Sequence, residues 1–416
     1  MRVITDWHLH SKYSRACSPD LTLENNAVWC EKKGVNVLGT ADFTHPKWFA
    51  EIKDKLEEAE QGMFKLKGSN SKMRYMLTSE VAQIYKKDGA VRRIHNIILV
   101  PTVADVEAII KALEDRGCNL SADGRPILGI ESEELMKILI GIDEKIMLIP
   151  AHAWTPWFSV FGSKSGFNSL DACYGSMAKY IYAIETGLSS DPLMNRSLSA
   201  LDNLMLVSNS DAHSPRNFGR EANVFEMDED KITYDEFLRI FKERDTSKFK
   251  YTIEFYPEEG KYHVDGHSDC EFFCEPAETK RLGGRCPKCG KKLTVGVLSR
   301  VEELGDRKPS ESVRQSFKSI VPLEIIIAES LGLAGTASKK VQAMYEKLNK
   351  ELGSEFAILL DVPIDEIKRV DPTVAEAIDR VRQGKLNIRP GYDGVYGQVH
   401  IFSDQDQIKP KQASLI

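Results

Sequence analysis

The sequence predicts an α/β protein that opens with parallel βα units and continues into a small cysteine-rich segment and a helical third. Three observations carry this reading. Short β-branched-rich runs alternate with helix-period segments as far as about residue 245. Four of the eight cysteines crowd into residues 270–289. From residue 299 onward, apolar positions recur at helical spacing. A chain of 416 residues suits two or three domains, and three is the simplest division: 1–245, 246–298 and 299–416.

Taken in order, residues 2–9, 35–40, 73–81, 95–100, 145–151, 181–186 and 204–210 read as buried strands. Between them, 22–33, 46–60, 103–116, 131–140 and 192–202 carry helical patterns, the first closed by Gly34 and the third by Gly117. Such alternation closes into a barrel or winds into an open sheet. Residues 246–298 have Gly, Pro and Cys but no helix-length apolar period. Beyond them PSESVRQSF, PLEIIIAESLG, TASKKVQAMYEKL and DPTVAEAIDRVRQG predict helices, and the polar tail after about 403 is expected to fray.

Composition excludes several classes. With 42% apolar and 28% charged residues, the chain is not disordered. No apolar stretch approaches the ~20 residues of a membrane helix. The start, MRVITDWHLH, lacks the basic and apolar regions of a signal peptide, so no membrane partner and a cytoplasmic location are expected. Net charge is −6 and none of the three parts is strongly basic, so composition alone gives no footprint for nucleic acid. Cys17, Cys30, Cys118 and Cys173 are scattered and read as inert thiols.

The chemistry gathers at strand ends. His8 and His10 sit two apart, and a period of two puts both imidazoles on one face. Asp42 and His45 follow one strand, Glu80 ends another, His95 opens the next, and His152, Asp211 and His213 follow later ones. In a closed βα barrel the carboxyl ends of the strands meet at one face. Imidazole with carboxylate suits Zn²⁺, Mn²⁺ or Fe²⁺. These ligands exceed one ion's coordination number, so two or three ions are expected, with Glu80 as the shared carboxylate. Such a centre favours phosphoester hydrolysis, and no dinucleotide or P-loop glycine pattern competes with it.

A second constellation is local. His267-x2-Cys270 and Cys286-x2-Cys289 are paired knuckles around a 15-residue loop, the spacing of a structural zinc ribbon, with Cys274 as an alternate ligand. In the loop HAWTPWFSVFG, Trp154, Trp157, Phe158 and Phe161 offer faces for an extruded base or plug the mouth of the fold. Arg15 and Ser-Lys-Ser-Gly (163–166) grip phosphate or are plain solvated surface. Lys339 and Lys340 stand at a helix start beside Gly335 and Ser338, where they anchor a phosphate or are plain solvated surface. PGYDGVYG, with Tyr392, reads as a loop that approaches a ligand or as a β-turn.

HLHSKYS, GTADFTHP, TSEV, PAHAW and SNSDAH resemble the PHP superfamily of metallo-phosphoesterases. The longer stretches PAHAWTPWFSVFGSKSGFNSL, ETGLSSDP, SDAHSPRNFGREAN, CPKCGKKLTVGV and PGYDGVYG resemble the endonuclease Q family, and the likeness spans about residues 1–400. It implies a distorted (β/α)7 barrel of PHP type with a zinc ribbon and a helical DNA-binding part. It further implies an endonuclease that cuts DNA 5′ to hypoxanthine, uracil, xanthine or an abasic site. The ions would be Zn, Mn or Mg. His8, His10, Glu80 and Asp211 would hold one; Glu80, His95 and His152 a second; His213 would help hold a third. The superfamily's Thr-Asp-His is here Ala41-Asp42-Phe43, so Asp42 and His45 would substitute at the third site. Glu80, Asp211, His213 and Asp191 would carry catalysis, although Asp191 before Pro192 also reads as a helix start, and Asp20 as a ligand or a turn residue. The likeness favours His267 over Cys274 in the ribbon. Arg15, Trp154, Trp157, Lys339, Lys340 and Tyr392 would touch double- or single-stranded DNA, and a replication sliding clamp is a further implied partner. The alternatives are a small-molecule phosphomonoesterase like histidinol-phosphate phosphatase and a DNA-binding protein with a decayed centre.

Overall fold

The structure, a computed structural model, describes residues 1–308 and 315–403. Its strands in chain order are β1 (Arg2–Asp6), β2 (Val37–Gly39), β3 (Leu56–Glu60), β4 (Met63–Leu66), β5 (Arg74–Lys87), β6 (Ala90–Val100), β7 (Ile127–Leu128), β8 (Met147–Pro150), β9 (Ala183–Glu185), β10 (Met205–Val207), β11 (Ala222–Glu226), β12 (Phe249–Glu254), β13 (Asp265–His267), β14 (Phe272–Cys274), β15 (Ser316–Ser319), β16 (Asn387–Arg389) and β17 (Gln398–His400). An eleven-stranded mixed sheet forms the centre, in the order β15-β12-β11-β1-β2-β5-β4-β3, with β6 on β5 and β8, and β7 on β5.

The expectation of purely parallel units is corrected here. β1, β2 and β5 are parallel, but β5 and β6 form a long antiparallel hairpin from Leu77↔Val100 to Lys87↔Ala90. Asp88 (φ 53°) and Gly89 (φ 73°) supply the two left-handed residues that such a tight hairpin turn requires. The ladders also stop short of a closed barrel. β9 and β10 form a ladder only with each other; Ala153 N–H donates to Glu185 O at 3.0 Å, and the Leu9/Ala212 bridge lies beyond the end of β10.

Other elements follow local chemistry, with exceptions. Helix Leu23–Lys33 starts at the Thr22 cap and ends at Gly34 (φ 88°), and helix Val103–Glu114 starts at the Thr102 cap. The predicted 46–60 helix stops at Lys55. LEEAE becomes β3, because Leu56 buries itself and pairs across Gly62 with β4, and that pairing overrides helix propensity. The predicted 192–202 helix is a single turn, Pro192–Asn195, and a 3₁₀ turn, Ser199–Leu201. Of the predicted PSESVRQSF helix, residues 309–314 lie outside the described residues, and Ser316 begins β15. The predicted frayed tail lies almost wholly outside them too. β12 and β15 join the central sheet although they fall beyond residue 245.

Trp7 anchors the floor of the sheet, packed among Phe225, Phe237 and Phe241 with ring centroids 5.4–5.8 Å apart. Five helices between Leu323 and Arg382 form the C-terminal bundle. It docks on helix Leu23–Lys33 through a buried Lys33–Glu355 pair at 2.7 Å, while Tyr345 donates to the same carboxylate at 2.8 Å. Among the described residues no helix is long and apolar enough to cross a membrane.

Candidate metal centre

Five segments deliver ligands to one buried point. His8 and His10 flank Leu9, whose bridge to Ala212 prolongs the strand-like alternation past β1 and keeps both rings on one side. Glu80 on β5 and His95 on β6 lie on the same face of the hairpin, opposite Ile97 and Ala82. His152 follows β8, and Asp211 follows β10. Ala41 (φ 61°), Asp42 (φ 43°), His152 (φ 29°) and Asp211 (φ 46°) all adopt the left-handed backbone, strain that non-glycine residues carry chiefly at functional sites.

Two ligand groups share Glu80: His8, His10, Glu80 and Asp211, and Glu80, His95 and His152, with the ligand atoms of each group within 4.8 Å of one another. His10 Nε2 is 3.1 Å from Asp211 Oδ1 and 3.4 Å from Glu80 Oε2; His8 Nε2 is 3.5 Å from Glu80 Oε1. In the second group, His95 Nδ1 is 2.6 Å and His152 Nε2 is 3.4 Å from Glu80 Oε1. Bonds of about 2.0–2.2 Å to one cation put neighbouring ligand atoms about 3–3.5 Å apart. His8 Nε2 and Glu80 Oε1 are buried without a hydrogen-bond partner, the close His95 contact being too poorly directed to serve. A divalent cation satisfies both, so the residues fit such ions.

The electrostatics agree. Desolvation opposes charge on Glu80, but His95, Arg125 and His8 outweigh it and hold the carboxylate well below its ordinary range. His8 and His10 drive Asp211 down in the same way. Burial also opposes charge on His10, yet Asp211 and Asp42 lift it to about 9, whereas burial pushes His95 down to about 4. The surrounding carboxylates thus raise His8 and His10 above the ordinary imidazole range, while burial keeps His95 below it.

Three supporting residues had no assigned role in the sequence reading or a different one. Glu185, fully buried, lies 3.0 Å from His8 Nδ1 and accepts the His152 N–H at 2.7 Å, which leaves His8 Nε2 facing the ligands. Its only signal was a carboxylate closing an apolar strand. Arg125 donates to Glu80 Oε2 at 3.0 Å from a loop tied to Ala82 through Pro126 O, and nothing in the local sequence marks it. Asp42 is not a direct ligand here. Its Oδ1 faces His10 Nδ1 at 3.4 Å, and its Oδ2 accepts the Ser11 N–H, Ser11 O–H and Ser14 O–H at 2.7 Å each.

The remaining predicted ligands do not converge. His45 stacks on Tyr13 with centroids 4.6 Å apart, and His213 turns Nδ1 to Asp211 O at 2.9 Å, so neither joins a group, and no third group forms around this centre among the described residues. Asp191 caps the Pro192–Asn195 turn by accepting the Met194 N–H at 2.8 Å, the helix-start reading, and Asp20 is exposed. Trp154 is core: it is 1% exposed and donates to Asn195 Oδ1. Tyr392 is buried too, stacked on Phe273, because Gly266 leaves its ring room against β13. Trp157, Arg15, Lys339 and Lys340 are exposed.

His267, Cys270, Cys286 and Cys289 meet with ligand atoms within 4.8 Å, while Cys274 turns away to Thr279 Oγ1 at 3.2 Å. Desolvation opposes ionisation of Cys286, but the Lys288 and Cys289 amides outweigh it and hold this thiol below its ordinary range, as a metal knuckle requires.

The profile described as the MJ0043 C-terminal domain matches residues 322–385, which is most of the helical bundle. An uncharacterized protein of Methanocaldococcus jannaschii is 36% identical over 251 residues; the match takes in 60% of this chain, which spans only 31% of that protein's length. YqxK of Bacillus subtilis, also uncharacterized, is 28% identical over 387 residues, 91% of this chain and 92% of its own. Fold and site together define an α/β protein with a buried imidazole–carboxylate centre that fits metal ions and a separate cluster of one imidazole and three thiols. Two solved structures have this fold at TM-score 0.85: the lesion-specific endonuclease PfuEndoQ of Pyrococcus furiosus, 31% identical, covering 100% of this chain and 99% of its own, and an endonuclease Q with a 27-mer duplex bearing an abasic lesion at its active site, 32% identical, covering 99% and 100%. The chain belongs to the endonuclease Q family. The sliding clamp finds no counterpart in these comparisons.

Proposed function

We propose that this chain is a divalent-metal-dependent DNA endonuclease that cuts the phosphodiester bond 5′ to a deaminated base (hypoxanthine, uracil or xanthine) or an abasic site. The reading rests on one observation above all. A relative matched along its whole length holds an abasic duplex at its active site, and the matching fold here carries the buried His–carboxylate centre. That match takes in the ribbon and the bundle, which a small phosphomonoester would not need.

His8, His10, Glu80 and Asp211 hold one cation and Glu80, His95 and His152 the other; zinc, manganese and magnesium are the candidates. Divalent ions in such a pair activate water and neutralise charge on the phosphate. Glu185 and Asp42 fix the His8 and His10 rings in the orientation that binding needs. Arg125, with a side chain 28% exposed, holds a guanidinium at the mouth where the phosphate enters. Trp157, Arg15, Lys339 and Lys340 contact DNA, and His267, Cys270, Cys286 and Cys289 hold a structural zinc. Extruding a base costs a few kcal/mol, least where pairing is already damaged, which supplies part of the selectivity.

The test incubates the protein and Mg²⁺, Mn²⁺ or Zn²⁺ with end-labelled duplexes bearing hypoxanthine, uracil, xanthine or an abasic site. Nicks mapped to the 5′ side of the lesion, and lost in Asp211→Ala, are expected. Phosphate release from small monoesters with every duplex intact would overturn the reading.

A further inference from the structure

The segment after β10 delivers Asp211 to the first ligand group on a left-handed backbone (φ 46°), and each carbonyl from Ser210 to His213 is held by a donor. Ala212 O accepts the His10 N–H at 3.0 Å, and His213 O accepts the Ser18 N–H at 2.9 Å. The first two carbonyls share one side chain. Arg220 donates from Nε to Ser210 O at 2.8 Å and from Nη2 to Asp211 O at 3.2 Å.

Arg220 is fixed at its root. Gly219 N–H donates to Asp6 Oδ2 at 3.0 Å, and the other oxygen of Asp6 accepts the Ser210 N–H at 3.0 Å. Gly219 is left-handed (φ 70°), and a Cβ there would meet the Phe356 ring 2.8 Å away, on helix Glu355–Leu360 of the bundle. Arg220 is half-buried and makes no ion pair among the described residues; its guanidinium serves the backbone.

From this clamp we propose that Arg220 is a positioning residue of the metal centre, which holds the Asp211 carboxylate in the first ligand group by bridging the carbonyls of Ser210 and Asp211. The inference rests on the reading of that group as a cation site and assigns the residue that sets its geometry. Ser210 is fully buried, and Arg220 is the donor to its carbonyl. A buried carbonyl stripped of its donor draws its chain towards water or another donor. Asp211 is the next residue, so that movement carries its carboxylate out of ligand distance. The planar fork of arginine spans two consecutive carbonyls, which one ammonium does not. The second group, Glu80, His95 and His152, takes no ligand from this segment and is spared.

The experiment titrates the full chain with Mn²⁺ and counts the unbound ion by electron paramagnetic resonance. His152→Ala leaves the first group to be measured alone, and His8→Ala leaves the second. Arg220→Ala is expected to weaken uptake about 10–100-fold in the His152→Ala chain, the range for a lost orienting partner, and to change nothing in the His8→Ala chain. Guanidinium ion at millimolar concentration should restore the loss, and sodium at equal ionic strength should not. Arg220→Lys keeps the charge and most of the bulk, so it folds even if Arg220→Ala does not. It should still lose about 10-fold, the low end of that range, because one ammonium replaces the fork. Equal losses in both chains, or affinity unmoved in the His152→Ala chain, would overturn the clamp. If His8→Ala removes an ion and the Arg220 variants remove none, the clamp alone fails. If neither ligand variant changes uptake, the cation reading fails and takes the clamp with it.

Discussion

The buried centre and the thiol ribbon bring candidate metal ligands together by opposite means. The ribbon draws its four ligands from residues 267–289, one of them exposed, in a segment with little core of its own. The centre gathers ligands from residues 8 to 211, buried except for the partly exposed His152 and Asp211, and fixes two rings with further carboxylates, Glu185 and Asp42. Its strained backbone at Asp42, His152 and Asp211 is maintained by the sheet around it. A ribbon of this build would owe its fold to an ion, whereas the centre's ligands are already held in place by the sheet around them.

That contrast can be broken or sharpened by experiment. The largest effect belongs to the ribbon: structural zinc supplies about 10–16 kcal/mol of apparent binding energy in isolated fingers. Cys286→Ser should therefore unfold residues 265–293, seen as lost hydrogen-exchange protection there, with protection of β5 and β6 intact. Glu80→Gln should do the reverse, cutting lesion nicking by about 10³-fold or more, as loss of several kcal/mol of transition-state stabilisation demands, while the ribbon keeps its zinc. Glu185→Gln should cost about 10–100-fold in cation affinity by calorimetry, the range for a lost orienting partner.

Acidity separates the two sites again. In the cation-free centre, desolvation of His10 is outweighed by Asp211 and Asp42, and its proton stays on to about pH 9. A cation needs the neutral ring, so uptake should strengthen as pH rises towards 9 and release protons, read by calorimetry in buffers of different ionisation enthalpy. The sign for stability is opposite. His10 stabilises the cation-free fold fully below its ordinary value of 6.5, and that contribution fades as pH climbs through 9. The smallest effect is Cys274→Ser, expected to retain the ribbon zinc and to change stability by under about 0.5 kcal/mol.

Much of this was legible in the sequence, for identifiable reasons. The His8/His10 pair survives because strand alternation needs no knowledge of the partner, and the Cys286–Cys289 knuckle because its geometry is local. Glu185 and Arg125 carry no local signal; only the fold brings them within reach of His8 and Glu80. Residues 82–94 were passed over because a hairpin that projects from the sheet mixes Gln, Arg and Lys with its apolar positions. Trp154 and Trp157 look alike in sequence, and only burial separates the core ring from the surface one.

The sheet itself is stitched from distant stretches: β12 lies on β11, and β15 lies on β12. A fragment severed at residue 245 would leave the outer flank of β11 as a row of naked amides and carbonyls, a template for sticking to other copies. The sheet up to β11 and the segments beyond residue 245 therefore cannot be traded as cassettes, and any transplant has to move the whole weave.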